Sequence, residues 1–341
     1  MTVWWLSQDT RMPDWDSAAH ATESFHVYAR IARGHLVKVF TEFNAYPPLG
    51  RSIGALGVLV AGRSNHAVIF ATNLVFVPVL AASCYGVGKL VGTPRAGLLA
   101  AVFALATPMI VSEAHEAYLD PLQAALVALS VLAILAARRF ERVGVAALAG
   151  AATACAMLVK QTTPIFLVGL LAVVLVRGGW RNWRGLCAYL LVLIALGAPW
   201  YLEHSSELGQ LVLAHTANAN TVETNPGGGV YPALLSFKNL TWYFWNAGNI
   251  QLQAGFLLFL LVGLVFAARS AWVERTPSNL YPELLGGLFV SWLGMTLIKH
   301  KDPRYDLPAL VYVAVLSTSW IAGFRAVARR WVTAGLFGVA A

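Results

Sequence analysis

The sequence predicts an all-α membrane protein, with one transmembrane domain over residues 1–341 built from about nine to eleven spans. Three observations predict this fold class. Hydrophobic residues make up 58% of the chain and charged residues only 12%, whereas soluble domains carry about 25% charged residues. Apolar runs of helical length recur from residue 67 onwards. The loops between them alternate between basic and acidic, as loops do on the two sides of a membrane.

We expect residues 7–62, of which 7–48 are polar and mixed, to form the first external loop. Apolar residues recur at helical spacing over 17–33, which predicts an amphipathic helix on the membrane surface. Residues 49–62 are apolar but short for a span, which predicts a second interfacial helix. An external loop needs a preceding span, and Val3 to Leu6 are only a stub of one. We therefore expect the sequence to be truncated here, and again within a tenth apolar run that begins at residue 331.

Nine apolar runs between these ends predict complete membrane spans. They cover residues 67–89, 96–112, 119–137, 143–160, 163–177, 184–202, 253–270, 283–298 and 305–324.

The charge pattern predicts the orientation of these spans. If residues 7–62 lie outside, every inside loop is basic and most acids lie outside, as the positive-inside rule requires. The formal net charge of +8 is then explained by the inside loops, and we expect no nucleic-acid partner. The three cysteines lie far apart in apolar runs, without the spacing of a metal or redox site.

One later loop, residues 203–252, is long and is also predicted to lie outside. It contains the flexible stretch Pro226-Gly227-Gly228-Gly229, followed by an aromatic group over residues 242–245. Such a group is typical of the aromatic belt at a membrane interface. A lid over a lipid or sugar site is the functional alternative.

Polar residues cluster at the predicted outer ends of the spans, and the first two clusters lie in residues 7–62. Asp14 and Asp16, with His20 nearby, could serve as a metal pair or as one general base and one stabilising carboxylate. Glu42 and Arg51 flank a pair of prolines that fixes an extended start for the next helix. Glu42 and Arg51 would thus be held at the mouth of a site, unless the prolines serve only to start a helix.

The third cluster precedes the predicted span 119–137. Glu113, Glu116 and Asp120 would share one face if this segment is helical, with His115 between them. Asp120 is also well placed to cap the next helix, because a proline follows it. Capping does not explain Glu113 and Glu116. A carboxylate beside a membrane costs free energy unless it is solvated, paired with a cation or required for function.

The fourth cluster is basic, although it falls in predicted outside segments. Lys160 ends one span, and Lys301 and Arg304 lie between two others. Cations in this position suit a phosphate-bearing ligand, which arginine can bind with two hydrogen bonds. Snorkelling of long side chains to the lipid headgroups is the alternative.

Five short motifs, one of them a pair of span ends, resemble the GT-C glycosyltransferases of the protein O-mannosyltransferase and aminoarabinose transferase type. They match in order along nearly the whole chain. They are Pro13-Asp14-Trp15-Asp16 with His20, Tyr46-Pro47-Pro48-Leu49-Gly50-Arg51, Ala117-Tyr118-Leu119-Asp120-Pro121, the span ends Leu158-Val159-Lys160-Gln161 and Ala198-Pro199-Trp200-Tyr201, and Lys301 to Arg304-Tyr305 with Pro308. The resemblance implies a GT-C helical bundle in the plasma (inner) membrane.

The same resemblance implies the inverting transfer of a sugar from a polyprenyl-phosphate donor to a lipid, glycan or protein acceptor on the extracytoplasmic face. Asp14 or Asp16 would be the general base, and Asp14 is favoured slightly because it directly follows Pro13. Lys160, Lys301, Arg304 and Arg51 would hold the donor phosphate. The residues that would position the acceptor or a divalent metal, whose requirement stays open, are His20, Glu42, Glu113, His115, Glu116 and Asp120. Tyr46 departs from the aminoarabinose branch, where a lysine often precedes the proline pair.

A transporter or flippase for a lipid-linked or anionic solute is the competing interpretation. It predicts charges near the membrane midplane and paired halves with similar broken helices. The predicted spans hold few such charges and show no internal repeat, which favours the transferase.

Overall fold

The computed structural model describes residues 8, 13–42, 45–210, 235–298, 301–323, 332–335 and 338. Three features named above lie outside these residues: the stub from Val3 to Leu6, the stretch from Pro226 to Gly229, and most of the tenth apolar run.

The described residues form helices, turns and loops, without a β-strand among them. The α-helices are, in chain order, α1 Trp15–Ala32, α2 Leu36–Thr41, α3 Pro48–Ala61, α4 Asn65–Val91, α5 Pro94–Ala106, α6 Pro108–Glu113, α7 Asp120–Ala136, α8 Val143–Met157, α9 Thr163–Val176, α10 Trp183–Glu203, α11 Phe237–Leu240, α12 Trp242–Asn246, α13 Gln253–Val273, α14 Tyr281–Leu297 and α15 Leu310–Ser319. A π-helical turn, Ala247–Gln251, follows α12, and a 3₁₀-helix, Pro303–Ala309, leads into α15.

The two interfacial helices predicted near the start are α1 and α3. They pack against each other, and the contact is closest where Gly54 of α3 meets Ser24 of α1. A Cβ atom at position 54 would lie 2.4 Å from the Ser24 hydroxyl oxygen, so only glycine allows this approach. The first turn of α1 contacts the loop before α7, where the Ser17 hydroxyl accepts from the Ala117 amide at 2.9 Å.

All nine predicted spans coincide with helices, and the chain is an integral membrane protein. Three of the helices are long and apolar enough to cross a membrane unaided: Asn65–Val91, Trp183–Glu203 and Gln253–Val273. The others are shorter, and two predicted spans are interrupted. The run 96–112 breaks at Thr107, where Pro108 begins α6, and the run 305–324 starts as the 3₁₀-helix before α15. Proline cannot donate the hydrogen bond that would continue a helix, which accounts for the first break.

Helix α7 is the centre of the bundle, because nearly every residue from Asp120 to Leu135 is buried. It packs against α4, α8 and the 3₁₀-helix Pro303–Ala309. Its amino-terminal residue therefore lies beside this 3₁₀-helix, at the end of the bundle that α1 covers. We call this end the acidic end, since it holds Asp16, Asp120 and Asp302.

The opposite end of α7 is held by ion pairs among the predicted inside loops. Glu283 is fully buried, and one of its carboxylate oxygens lies 2.5 Å from the Arg177 guanidinium. Arg139 donates to the Pro277 carbonyl at 2.6 Å, and Asn182 donates to the Arg139 carbonyl at 2.8 Å. Three loops predicted to share one side of the membrane thus contact one another.

Candidate active site

Asp14 fixes the start of α1 and the position of a tyrosine from another loop. One of its carboxylate oxygens accepts from the Trp15 amide at 2.8 Å, which caps the helix, and the other accepts from the Tyr118 hydroxyl at 2.6 Å. The Tyr118 hydrogen bond and the Trp15 amide lower the pKa of Asp14. Burial and the bond to Asp14 raise the pKa of Tyr118, so the phenol keeps its proton and donates it.

Asp16 lies one residue into α1 and binds a cation from the far end of the chain. Its carboxylate accepts a hydrogen bond from the Arg304 guanidinium, which is also 3.3 Å from a carboxylate oxygen of Asp302. The same guanidinium lies over the Tyr118 ring, 4.2 Å from its centroid. Arg304 is thus nearly buried, with two acids and an aromatic face around it. Asp302 caps the 3₁₀-helix by accepting from the Arg304 amide at 3.0 Å, which fixes the backbone that presents this arginine.

Lys160 and Asp120 form a second cation–carboxylate pair at the acidic end. The lysine nitrogen lies 2.6 Å from the Asp120 carboxylate, and both side chains are buried. The lysine also faces two aromatic rings, Tyr305 at 4.6 Å and Tyr46 at 5.7 Å from their centroids. Tyr305 is shared with Arg304, which lies 5.8 Å from the same ring. One tyrosine therefore lies between the two cations, so the pairs form a single cluster.

The capping role predicted for Asp120 is wrong. Asp120 is the first residue of α7, Leu119 stands at the cap position, and no side chain caps this helix. The carboxylate instead turns to Lys160, because a buried acid without a cation would cost more than a missing cap.

Glu113 lies close to this cluster but lacks a partner of its own. Its side chain is buried, and one carboxylate oxygen has no hydrogen-bond partner. Burial, followed by the nearby charge of Asp120, raises the pKa of Glu113 to about 8. The predicted common helical face for Glu113, Glu116 and Asp120 does not exist, because α6 ends at Glu113 and turns separate it from α7. Glu116 and His115 lie half-exposed in these turns.

Replacing Glu113 with glutamine is expected to change how stability depends on pH. Because the folded-state pKa of Glu113 is raised from 4.5 to about 8, the wild-type protein loses stability as pH rises through that interval. Glutamine removes this loss, so Glu113→Gln should raise Tm at pH 8 by about 2–4 °C or more and leave Tm at pH 5 nearly unchanged. Thermal unfolding at both pH values measures the difference.

The half-exposed Glu116 provides the matched control for that measurement. Glu116→Gln removes the same charge from the neighbouring turn and should leave the pH dependence of Tm as in the wild type. An equal change in both variants, or none in Glu113→Gln, would contradict the assignment of Glu113 as a buried, neutral carboxyl group.

His20 also lies in the cluster, one helical turn after Asp16. Its imidazole meets the Tyr46 ring edge-on, with centroids 5.1 Å apart. Burial lowers the pKa of His20 to about 4, although the charge of Asp120 opposes the shift. The ring is therefore neutral at physiological pH and can offer one donor and one acceptor to a polar ligand.

Lys301 does not point toward Asp16. Its ammonium group donates to the carbonyl oxygens of Met295 at 2.9 Å and Thr296 at 2.7 Å, in the last turn of α14. It also lies 5.2 Å from the centroid of the Tyr243 ring. Burial lowers the pKa of Lys301 to about 8. Lys301 thus donates to carbonyl groups in the last turn of α14. A cation at this end of a helix is stabilising.

Arg51 and Glu42 lie outside the cluster. The charged groups around Arg51 are Glu23, Arg30 and Glu42, whereas those around Arg304 are Asp120, Asp302 and Asp16. The sequence-predicted site residues therefore separate into two groups, and only one of them contains Asp16.

Three tyrosines and Asp302 belong to the cluster but were not among the candidate residues. Tyr305 stands beside Arg304 in the sequence, Tyr118 stands two residues from both Glu116 and Asp120, and Tyr46 stands beside the proline pair. The sequence feature that could have identified these tyrosines is an aromatic residue close to charged residues at a helix end. No three histidine, cysteine, aspartate or glutamate side chains of the described ranges converge to hold a metal ion.

An apolar cavity of about 430 Å³ lies next to the cluster. Its walls come from α12, the π-helical turn, α13, α14 and α15, with Trp292 and Phe289 among the largest residues. Asp306 and Leu307 of the 3₁₀-helix line it as well, so this helix separates the cavity from the charges around Arg304. Two residues of the aromatic group at 242–245, Tyr243 and Phe244, also line the cavity.

Comparisons with known proteins match this arrangement to one class of membrane fold. Residues 45–200 match the family model described as dolichyl-phosphate-mannose-protein mannosyltransferase. The structure of ArnT from Cupriavidus metallidurans bound to undecaprenyl phosphate aligns with a TM-score of 0.69 at 18% identity, over 98% of this chain. The chain has the GT-C fold. The GT-C resemblance drawn from the sequence is confirmed at this level.

Other comparisons agree with the GT-C assignment. The apo state of the same ArnT gives the same values, and the apo oligosaccharyltransferase of Archaeoglobus fulgidus aligns at a TM-score of 0.51 and 12% identity, over 86% of this GT-C chain and 44% of its own. The GT-C chain spans 60% of the length of ArnT. The sequence search among curated proteins gave no significant match.

Proposed function

We propose that this protein transfers a sugar from a polyprenyl-phosphate donor to an acceptor hydroxyl, with inversion at the anomeric carbon. The observation that carries the proposal is the contact between Asp16 and Arg304, with Lys160 beside them across Tyr305. It joins a carboxylate suited to deprotonating a hydroxyl with two cations suited to a leaving phosphate. ArnT, which shares the fold, was solved with undecaprenyl phosphate bound.

Asp16 is the better candidate for the general base. Both carboxylate oxygens of Asp14 are already engaged, one in the helix cap and one with Tyr118. Asp16 has one oxygen on Arg304 and lies partly exposed. A base must reach the acceptor proton within hydrogen-bond distance, which an oxygen already committed to a helix cap cannot do without disrupting the helix start. The rigid presentation of Asp14 thus suits a positioning role.

The reaction follows from these positions. The Asp16 carboxylate takes the proton of the acceptor hydroxyl as its oxygen attacks the anomeric carbon, and the bond from that carbon to the donor phosphate oxygen breaks. The electron pair of that bond stays on the departing polyprenyl phosphate. Arg304 and Lys160 stabilise the developing negative charge, which preorganised cations do effectively in a partly buried site.

Each cation is paired with an acid in the structure. Arg304 is bound to Asp16 and Asp302, and Lys160 to Asp120. A donor phosphate on Arg304 would compete with Asp16 for that guanidinium, and the released carboxylate would be free to accept a proton. We therefore propose that donor binding activates the base.

The surroundings of the cluster fit the two substrates. The apolar cavity on the other side of the 3₁₀-helix would hold part of the polyprenyl chain. His20, Glu113, His115 and Glu116 remain near the cluster to position the acceptor, which is a lipid, glycan or protein. By the loop charges, the cluster faces the extracytoplasmic side of the plasma (inner) membrane.

A transfer assay tests the proposal through Arg304. The purified protein is reconstituted in liposomes with radiolabelled polyprenyl-phosphate sugars and a membrane extract as the acceptor source. Arg304→Ala should weaken donor binding by about 10–1,000-fold, because it removes one partner of a buried charge pair. Arg63→Ala removes an exposed arginine from the same end and serves as the control. Unchanged donor affinity in Arg304→Ala, or lipid movement across the bilayer without transfer, would contradict the proposal.

A further inference from the structure

A second group of charged side chains lies between α1, α2 and α3, apart from Asp16 and Arg304. It consists of Glu23 and Arg30 of α1, Glu42 after α2, and Arg51 of α3. Arg30 forms an ion pair with Glu42. Arg51 lies 3.7 Å from one carboxylate oxygen of Glu23, and the other carboxylate oxygen lies 3.5 Å from His26. We call these four residues the Arg30–Arg51 cluster.

The two arginines of this cluster have unused hydrogen-bond donors. The Arg51 side chain is only 5% exposed, yet its Nε and one Nη have no hydrogen-bond partner. One Nη of Arg30 is likewise buried without a partner. An unsatisfied buried donor costs about 1–3 kcal/mol, and more when it is charged. Arg30 is one of the charged groups near Arg51, and buried guanidinium nitrogens in this state are typical of an anion site.

The acids present do not fill this site. Glu23 reaches Arg51 at 3.7 Å, which is beyond hydrogen-bond distance, and shares its carboxylate with His26. Glu42 is 43% exposed and forms an ion pair with Arg30, so it can turn toward water when another anion arrives. A phosphodiester, which has two free oxygens, could accept from Nε and Nη of Arg51 together and from Arg30, a fork geometry that suits phosphate.

The surface beside the cluster indicates where such a phosphate comes from. In α2, Leu36, Val37 and Phe40 are 56–73% exposed, while Val39 packs inward. Arg33 and Lys38 lie exposed on the same segment. Exposed apolar side chains interleaved with basic ones are typical of a helix in the lipid interface, where apolar groups enter the acyl layer and cations meet the headgroups.

We propose that Arg30 and Arg51 bind the phosphate of an anionic membrane lipid at a site distinct from the catalytic cluster. The lipid chains would lie along Leu36, Val37 and Phe40, and the headgroup phosphate would accept from the unused donors of both arginines. This proposal does not depend on the transfer reaction, because it concerns only lipid binding. It assigns Arg51 to a structural lipid rather than to the sugar donor.

Lipid binding by the purified protein tests the site. Native mass spectrometry in neutral detergent counts bound phosphatidylglycerol, with diacylglycerol as the lipid that lacks phosphate. Arg51→Lys keeps the charge but loses the fork, and Arg30→Gln removes the second donor set. Each should weaken phosphatidylglycerol binding by about tenfold or more, the effect of one lost hydrogen bond to a charged group. Diacylglycerol binding should not change.

A control variant tests whether any lost arginine would weaken binding, and inorganic phosphate tests whether the ligand is a lipid or free phosphate. Arg63→Gln removes an exposed arginine of the same region, which lies over the Phe25 ring, and should bind phosphatidylglycerol as the wild type does. Equal losses in all three variants, or none in Arg51→Lys and Arg30→Gln, would overturn the proposal. Inorganic phosphate should bind far more weakly than the lipid, and tight binding of free phosphate would overturn the assignment to a lipid. Arg30→Gln remains informative if Arg51→Lys fails to fold, because Arg30 is only partly buried.

Discussion

Asp16→Asn is expected to lower kcat for sugar transfer by about 100- to 10,000-fold, which is the usual contribution of a general base. The amide keeps the size of the side chain but cannot accept the acceptor proton. It also releases Arg304 from its ion pair, so donor binding should stay equal or become tighter. Steady-state kinetics with the reconstituted protein should therefore show the loss in kcat while KM for the donor does not rise.

Asp14→Asn is the matched comparison for this experiment. Asparagine is as good a helix cap as aspartate, so α1 should keep its start, and only the hydrogen bond from Tyr118 changes in strength. We expect a loss of less than about tenfold, the effect of weakening one hydrogen bond. A larger loss in Asp14→Asn than in Asp16→Asn would exchange their roles, and undiminished transfer in both would reject a carboxylate base on α1.

Breaking the pair between Asp120 and Lys160 is expected to produce the largest loss of stability. Both groups are buried at the amino-terminal end of the central helix α7, with the lysine nitrogen 2.6 Å from the carboxylate. Removing one partner of such a pair leaves a buried charge uncompensated, which costs about 3–5 kcal/mol. Asp120→Asn and Lys160→Met should each lower Tm strongly in thermal unfolding of the purified protein.

The double variant Asp120→Leu with Lys160→Met separates stability from function. A well-packed apolar pair often replaces a buried ion pair without loss, so Tm should recover to near the wild-type value. Transfer should not recover, because Lys160 is proposed to hold the donor phosphate. Recovery of both Tm and transfer would show that the pair is only structural, and a double variant as unstable as the single ones would show that the site cannot repack.

The positions of the helices could be predicted from the sequence, whereas their interruptions could not. Apolar runs bounded by arginines and prolines placed α4, α7 and α10 within a few residues, because membrane burial requires such runs. Hydropathy does not depend on the hydrogen-bond pattern, so it could not reveal the 3₁₀-helix Pro303–Ala309 or the break at Thr107.

The sequence predicted charged residues of the site, but it did not predict which acid pairs with which cation. Asp16, Arg304, Asp120 and Lys160 were all candidates on charge and position. Their pairing depends on tertiary contacts, since 288 positions separate Asp16 from Arg304 along the chain. Arg51 and Lys301 were assigned to the donor phosphate because they are basic and lie at the same predicted side. The structure places Lys301 on a helix end and Arg51 in another cluster, and charge alone could not distinguish these uses.

The 3₁₀-helix Pro303–Ala309 has a consequence for the choice of donor lipid. Arg304 lies on its charged side, while Asp306 and Leu307 form a wall of the apolar cavity on the other. Gln251 of the π-helical turn donates to both the Pro303 carbonyl and the Asp306 carboxylate, which ties this short helix at two points. A hydrocarbon chain that filled the cavity badly would shift the same seven residues that aim the guanidinium. Polyprenyl donors of different chain length would then differ in the rate of the chemical step as well as in their affinity for the protein.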